Sequence, residues 1–198
     1  MKVFVAGATG AIGRPLVAEL VRQGHAVTGM TRSKASTQGL TELGAEVALV
    51  DALDAAAVEE AVRKSGAEAV IDQLTSLPRS PAGMAAARAT DRRLRIEGGG
   101  NLRRAALACG VRRYVQQPSG FFLAPGAGLA DESVGMAVDA SPGVAFHARS
   151  YAELEARVLA PGPLEGVALR YGFFYGPGTI VGPFVQSFDP ASWRRPTY

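Results

Sequence analysis

Gly7, Gly10 and Gly13 stand three apart in the run Gly-Ala-Thr-Gly-Ala-Ile-Gly, directly after the apolar stretch Lys2–Ala6 and directly before an amphipathic one. This spacing suits the binding of a pyrophosphate. Gly7 permits a tight turn, Gly10 lets the backbone approach the phosphates, and Gly13 lets the following helix pack close to the strand. The backbone around Thr9, Ala11 and Ile12 then presents N–H groups to the anion, and the helix dipole adds to the attraction. The competing reading is a strand–helix turn that merely needs glycines. His147 and Tyr151 are the other pair with chemistry to offer. Four apart on a predicted helix, they share a face. Imidazole is a competent acid or base near neutral pH, and a phenol donates to a developing oxyanion. Alternatively, His147 is only a polar residue at a loop–helix junction. The chain has 2 histidines and no carboxylates clustered around them, so no protein metal site is expected. His25, at a turn after Gly24, is expected to have no chemistry.

Alternating strands and helices must position these groups. Strands are predicted at Lys2–Ala6, Ala26–Thr31, Glu46–Val50, Ala69–Leu74, Arg113–Gln117 and Gly166–Tyr171. Helices are predicted at about Ala11–Gln23, over a short stretch ending near Gly44, at Ala55–Lys64 with Asp54 as its cap, at Met84–Cys109 and at about Ala145–Leu159. Strands joined by helices of this length are parallel, with right-handed crossovers. The expected fold class is α/β, a doubly wound parallel sheet of about six strands in the order 3-2-1-4-5-6. Gly98-Gly99-Gly100 interrupts the longest helix, so that helix either packs very closely there or kinks. Phe121–Gly143, rich in Gly, Ala and Pro, reads as a long loop above the carboxyl edge of the sheet.

Composition narrows the class. With 198 residues, 47% hydrophobic and 20% charged, the chain is an ordinary globular domain with a sizeable core. A net charge of +3 is too small to argue for nucleic acid. The arginines at 92, 93, 95, 103, 104, 112 and 113 lack interleaved aromatics and read as a solvated helix face. Cys109, the one cysteine, reads as a small buried hydrophobe. No signal peptide or membrane-spanning run is seen, and a cytoplasmic location is expected.

The glycine motif, the strand order and the stretch Leu169-Arg170-Tyr171-Gly172-Phe173-Phe174-Tyr175-Gly176-Pro177-Gly178 together resemble the extended short-chain dehydrogenases/reductases. More narrowly, the chain is similar to the NAD-dependent epimerase/dehydratase group and its atypical relatives, over about residues 1–180. The resemblance implies a Rossmann domain over 1–178, with 179–198 a short tail in place of a substrate lobe. It places Asp51 and Ala52 at the adenine, Leu74 and Thr75 along the riboses, and Tyr171 and Phe173 at the nicotinamide. A turn or cap role is the alternative for Asp51. Arg32 stands where an acidic residue would hold a ribose 2′-hydroxyl; a guanidinium suits a 2′-phosphate, so NADP(H) is favoured over NAD(H), a plain surface arginine being the alternative. A homodimer is also implied, through the long helix and the helix that carries Tyr151.

The chain departs from this family in its acid–base machinery. The family uses Ser/Thr with Tyr-x-x-x-Lys. Here His147 occupies the tyrosine position and Tyr151 the lysine position; counted from Tyr151 instead, Glu155 replaces the lysine. Pro118 takes the usual serine position, with Ser119 displaced by one. Three functions follow as expectations: an NADP(H)-dependent oxidoreductase acting on a small, aromatic or polyketide-like substrate; a cofactor-binding sensor or partner-binding module without redox turnover; or an isomerase, cyclase or dehydratase using His147 and Tyr151. Phe121, Phe122, Phe173, Phe174 and Tyr175 line the pocket in the first reading or belong to the core.

Overall fold

Val3 and Val5 point to one side of the first strand and Phe4 and Ala6 to the other, and none is more than 3% exposed. Both faces of the sheet must therefore be covered, as in a parallel α/β arrangement. A computed structural model describes residues 1–78 and 81–172. Its elements are β1 (Lys2–Ala6), α1 (Gly13–Arg22), β2 (Ala26–Thr31), α2 (Thr37–Thr41), β3 (Glu46–Leu49), α3 (Ala55–Ser65), β4 (Ala69–Asp72), α4 (Met84–Arg93), α5 (Gly99–Ala108), β5 (Arg113–Gln116), α6 (Pro142–Val158) and β6 (Glu165–Ala168). All pairings are parallel, in the order β3-β2-β1-β4-β5-β6, the doubly wound order expected.

Val3, Val5, Val17, Val27 and Leu40 form the core under α1 and α2. Phe4, Met30, Val58, Val62, Val70, Leu102, Tyr114 and Val158 form the larger one under α3, α5 and α6. Each such side chain contributes on the order of 1.5–3 kcal/mol when fully buried.

The strands break off sooner than their apolar runs. β4 ends at Asp72 and β6 at Ala168, and the residues beyond them lie at the carboxyl edge of the sheet, where doubly wound folds have their crevice. α6 begins at Pro142, earlier than expected, because proline's fixed φ suits the first helical turn. The long helix continues from α4 into α5 through a π-helical turn, Leu94–Gly98. Gly99 is there for close packing: a Cβ on it would lie 2.8 Å from Asp72 Oδ2 and 2.9 Å from Arg157 Nη2. The carbonyls of the π turn are taken by Arg157, whose Nη1 donates to Ile96 O at 2.7 Å and Nη2 to Arg95 O at 3.1 Å.

Two expectations need correction. The arginine cluster is not uniformly a solvated face, because Arg95 is 4% exposed and paired with Asp91. Cys109 is half-buried at the C-cap of α5, its Sγ 3.8 Å from Glu59 O, and so sits at the rim of the core. The stretch 121–143 is better ordered than a plain loop. Gly120–Phe122 forms a 3-10 turn, Leu123 bridges Met136, and Arg170 Nη1 donates to Val134 O at 2.8 Å. Among the described residues, no helix is long and apolar enough to cross a membrane.

Asp72 is a buried carboxylate at the centre of the sheet. It accepts hydrogen bonds from Tyr114 Oη (2.8 Å), Gln116 Nε2 (3.0 Å) and Leu74 N (2.9 Å). Burial pushes its carboxyl above the ordinary 3.8, against those hydrogen bonds and the charges of Arg157 and Arg95. A raised carboxyl means that the folded chain holds this proton more tightly than the unfolded one. Its stabilising contribution is full below the ordinary value and is lost as pH rises through the folded value. Asp72→Asn removes that loss, and a flip of the Gln116 amide would give its unpartnered Oε1 a donor. The variant should gain stability relative to the native chain as pH is raised from acid to neutral. Urea unfolding midpoints in a pH series check this; a difference that stays constant with pH would refute it.

Candidate active site

The glycine loop leaves β1 at the carboxyl edge. Gly7 has φ +75°, and a Cβ on it would lie 2.4 Å from Gln73 O; one on Gly13 would lie 2.0 Å from Gly7 O. Gly10 N–H donates to Gly7 O at 3.0 Å and closes the turn. The N–H groups of Thr9, Ala11, Ile12 and Gly13 find no acceptor among the described residues, and α1 has neither a side-chain cap nor an acidic residue in its first turn. Thr9 and Ala11 are exposed and Ile12 half-buried. A ring of free donors at an uncapped helix N-terminus fits a diphosphate, and the missing Cβ atoms make room for the loop.

At the far end of the crevice, Arg32 is exposed just past β2, with no side-chain partner among the described residues. Arg14, which sequence reasoning missed, lays its guanidinium on Gly39 of α2, where a Cβ would be 2.6 Å from Nη1. Asp51 is exposed past β3. Its Oδ1 accepts from Leu53 N at 2.9 Å, leaving Oδ2 for another donor. Ala52 beside it is buried, its carbonyl taken by Asn101 Nδ2 at 2.8 Å.

Leu74, 7% exposed, and Thr75 follow β4. The Thr75 hydroxyl donates to Asp91 Oδ1 (2.9 Å) and accepts from Arg95 Nη2 (3.1 Å). Asp91 also accepts from Ser76 N at 2.6 Å and pairs with Arg95 Nε at 2.8 Å. The chain leaving β4 is thus held from the helix behind it.

His147 and Tyr151 come together through Phe122, whose ring stacks on both, with centroids 5.1 and 5.6 Å away and planes within 20°. Arg95 also lies over the Tyr151 ring, its guanidinium 5.3 Å from the centroid. Burial, with Arg88 and Arg95 nearby, depresses the imidazole pKa, so His147 is neutral at pH 7. Burial raises Tyr151, partly offset by Arg95, so its hydroxyl stays protonated. Ser119 is buried, and its oxygen accepts from Phe121 N at 3.2 Å, which leaves its own proton to give. Tyr171 bridges Ser119 between the strand ends, and its Oη accepts from Gln73 Nε2 at 3.1 Å. Glu155, at the lysine position counted from Tyr151, is clamped by Arg170 at 2.6 and 2.8 Å. Phe173, Phe174, Tyr175 and the tail 179–198 lie outside the described residues. Arg95 is a member of the site that the sequence hid, because it lies in an arginine-rich helix, whereas Phe122 was among the aromatics expected in a pocket or in the core.

Comparison with known proteins agrees with this geometry. Residues 7–157 match the NAD(P)H-binding family. The 3-diazoavenalumate denitrifying reductase of a Streptomyces species is 44% identical over 181 residues, 90% of this chain and 58% of that protein. The UDP-glucose 4-epimerase of Thermus thermophilus, solved with NAD, superposes with a TM-score of 0.75 at 26% identity, covering 91% of this chain and 58% of the other. A short-chain dehydrogenase/reductase superfamily protein from Agrobacterium tumefaciens, with bound NAD, gives 0.63 at 27%, covering 85% and 48%. The chain therefore spans less than two thirds of the length of each of these relatives. With the glycine cradle, the strand order and the matched span in agreement, this chain belongs to the NAD(P)H-binding family, on the Rossmann fold of the extended short-chain dehydrogenases and epimerases.

Proposed function

We propose that this chain serves the NADP(H)-dependent reduction of a small aromatic substrate bearing a diazo group. The observation that carries this reading is the replacement of the family's acid–base pair. No Tyr-x-x-x-Lys occurs in the sequence, and the positions concerned hold a neutral His147 and a protonated Tyr151 packed on Phe122. Carbonyl reduction needs a proton for the oxygen, which that pair supplies. The reduced nicotinamide supplies a hydride, and with an arenediazonium the balance is ArN₂⁺ + H⁻ → ArH + N₂, the C–N electron pair leaving with nitrogen and no proton consumed. A site adapted to that step has no use for the lysine, and the 44% identical relative is named for a diazo substrate and a denitrifying reduction.

The chain's own residues have separable tasks. The free N–H groups of Thr9, Ala11, Ile12 and Gly13 hold the diphosphate, Asp51 accepts from the adenine amino group, and Leu74 and Thr75 line the riboses. Arg32, with Arg14 beside α2, holds a 2′-phosphate. Phe122, His147 and Tyr151 form a wall of near-parallel rings against which a flat substrate lies, and they keep water from a carbon that water would otherwise capture.

Arg32→Glu should weaken NADPH about ten- to hundredfold, the value of one or two charge-assisted hydrogen bonds, and should not weaken NADH, whose ribose 2′-hydroxyl can donate to the new carboxylate. Calorimetric titration of both cofactors checks it; equal loss of both would remove the 2′-phosphate role. The activity itself is tested with benzenediazonium and 4-deuterated NADPH. Oxidation of the cofactor at 340 nm with deuterium at the former C–N carbon is the expected result. Tight cofactor binding with no oxidation of it would refute the reductase and favour a sensor, or an isomerase using His147 and Tyr151.

A further inference from the structure

A second cleft, of about 260 Å³, opens beside the aromatic wall between the start of α4, the start of α6 and the chain leaving β4. Leu77, Met84, Arg88, Asp91, Gly143 and His147 line it. Its apolar wall stands open, with Leu77 49% and Met84 45% exposed. Arg88 lies one helical turn beyond Met84 on the same face of α4 and is fixed there. Its guanidinium lies 4.1 Å from the centroid of the Phe146 ring, and Nη2 donates to Gly143 O at 3.2 Å.

What sets Arg88 apart is its lack of a counter-charge. Of the four arginines between 88 and 95, Arg92 pairs with Glu153, Arg93 with Glu97 and Arg95 with Asp91. Arg88 has no carboxylate within 4.0 Å among the described residues, and its Nε is shielded from water without an acceptor. The one acid in the cleft, Asp91, is already engaged by Arg95, Thr75 and Ser76. Nη2 is taken by Gly143 O and Nε is covered by protein, so Nη1, unshielded and without an acceptor among the described residues, is the donor left for a ligand, and a carboxylate is the partner that a guanidinium favours. His147, held neutral, brings no competing cation but offers an aromatic face. A cation that stacking holds in place, an apolar wall and an imidazole together describe a site for a flat acid.

We propose that Arg88 is a specificity-determining residue that binds the carboxylate of an aryl acid, the arene lying between Leu77, Met84 and His147 with its far end directed toward the crevice. This rests on the reductase reading only in making the acid the molecule that is reduced; the recognition itself does not. The cleft then selects substrates carrying an anion at one end and the reacting carbon at the other, and it disfavours neutral aromatics and sugar nucleotides.

The test uses unreactive probes, trans-cinnamate and cinnamamide, titrated into the protein saturated with oxidised cofactor. Native protein should bind cinnamate at least tenfold more tightly than the amide. Arg88→Gln should abolish that preference by weakening cinnamate about ten- to hundredfold, as for one or two charge-assisted hydrogen bonds, while cinnamamide and cofactor affinity stay unchanged. Arg88→Lys keeps the charge but not the planar fork, and should recover only part of the loss. Thermal unfolding of each variant separates a lost contact from a lost fold. Equal affinity for acid and amide in the native protein, or cinnamate binding unaffected by Arg88→Gln, overturns the proposal. Reduction of carboxylate-free benzenediazonium is a separate readout, so failure of the acid site and failure of the reductase reading are told apart.

Discussion

Gly13→Ala should abolish NAD(P)H binding, with affinity falling more than a hundredfold, and should lower the unfolding midpoint by several degrees. The added methyl would lie 2.0 Å from Gly7 O, 2.8 Å from Gly7 C and 2.9 Å from Ala8 Cα, all backbone. None of these can rotate away as a side chain would. Either α1 withdraws from β1, uncovering Val17 and Val5 in the core between them, or the turn at Gly7 opens. The first route loses burial and the second loses the ring of N–H donors, so both stability and binding suffer. Gly10→Ala is the internal comparison. Its Cβ would meet only Gly7 O, at 3.3 Å, which a shift of a few tenths of an ångström relieves. The fold should survive Gly10→Ala while the backbone's approach to the diphosphate is partly blocked. Circular dichroism melts and calorimetry on the two variants check the contrast. If Gly13→Ala bound cofactor like the native chain, the helix N-terminus would not be the phosphate site.

These glycines were legible because their requirement is local: a positive φ or a forbidden Cβ is written into one position and the elements on either side. Strand order was legible for a similar reason, since alternating apolar strands and helices leave few parallel topologies. His147 and Tyr151 share a face, as their spacing required. Asp72 was hidden inside a segment read as strand, and only the approach of Tyr114 and Gln116 from β5 makes it a buried acid. Arg95 was hidden differently. A cluster of arginines on a helix carries no mark of which one turns inward, and the π turn at Leu94–Gly98 shifts the facing of residues that an ideal α-helical count would place. Phe122 was legible only as an aromatic of pocket or core, because it enters the site from a stretch with no periodicity at all. The Arg88 cleft depends on a contrast between paired and unpaired guanidiniums, which exists only once the carboxylates have found their partners.

Asp91→Leu should be the most destabilising single change near the site, at about 3–5 kcal/mol, a large part of the ~5–15 kcal/mol that holds a domain folded. Asp91 and Arg95 form a pair whose side chains are 12% and 5% exposed. Removing the carboxylate strands a guanidinium in the interior and takes the acceptor from the Thr75 hydroxyl and Ser76 N–H as well. The double variant Asp91→Leu/Arg95→Met removes both charges and refills the space, so it should recover most of the lost stability; buried pairs replaced by apolar side chains often cost little. Cofactor binding should not recover with it. Thr75 would still lack both partners that hold it beside the crevice, and Tyr151 would lose the cation on its ring. A folded double variant with cofactor affinity about tenfold weaker, the effect of one lost hydrogen bond's positioning, would show that the charges serve placement more than stability. Native-like binding in the double variant would make the pair purely structural. Denaturant unfolding of the single and double variants, followed by titration with NADPH, separates these outcomes.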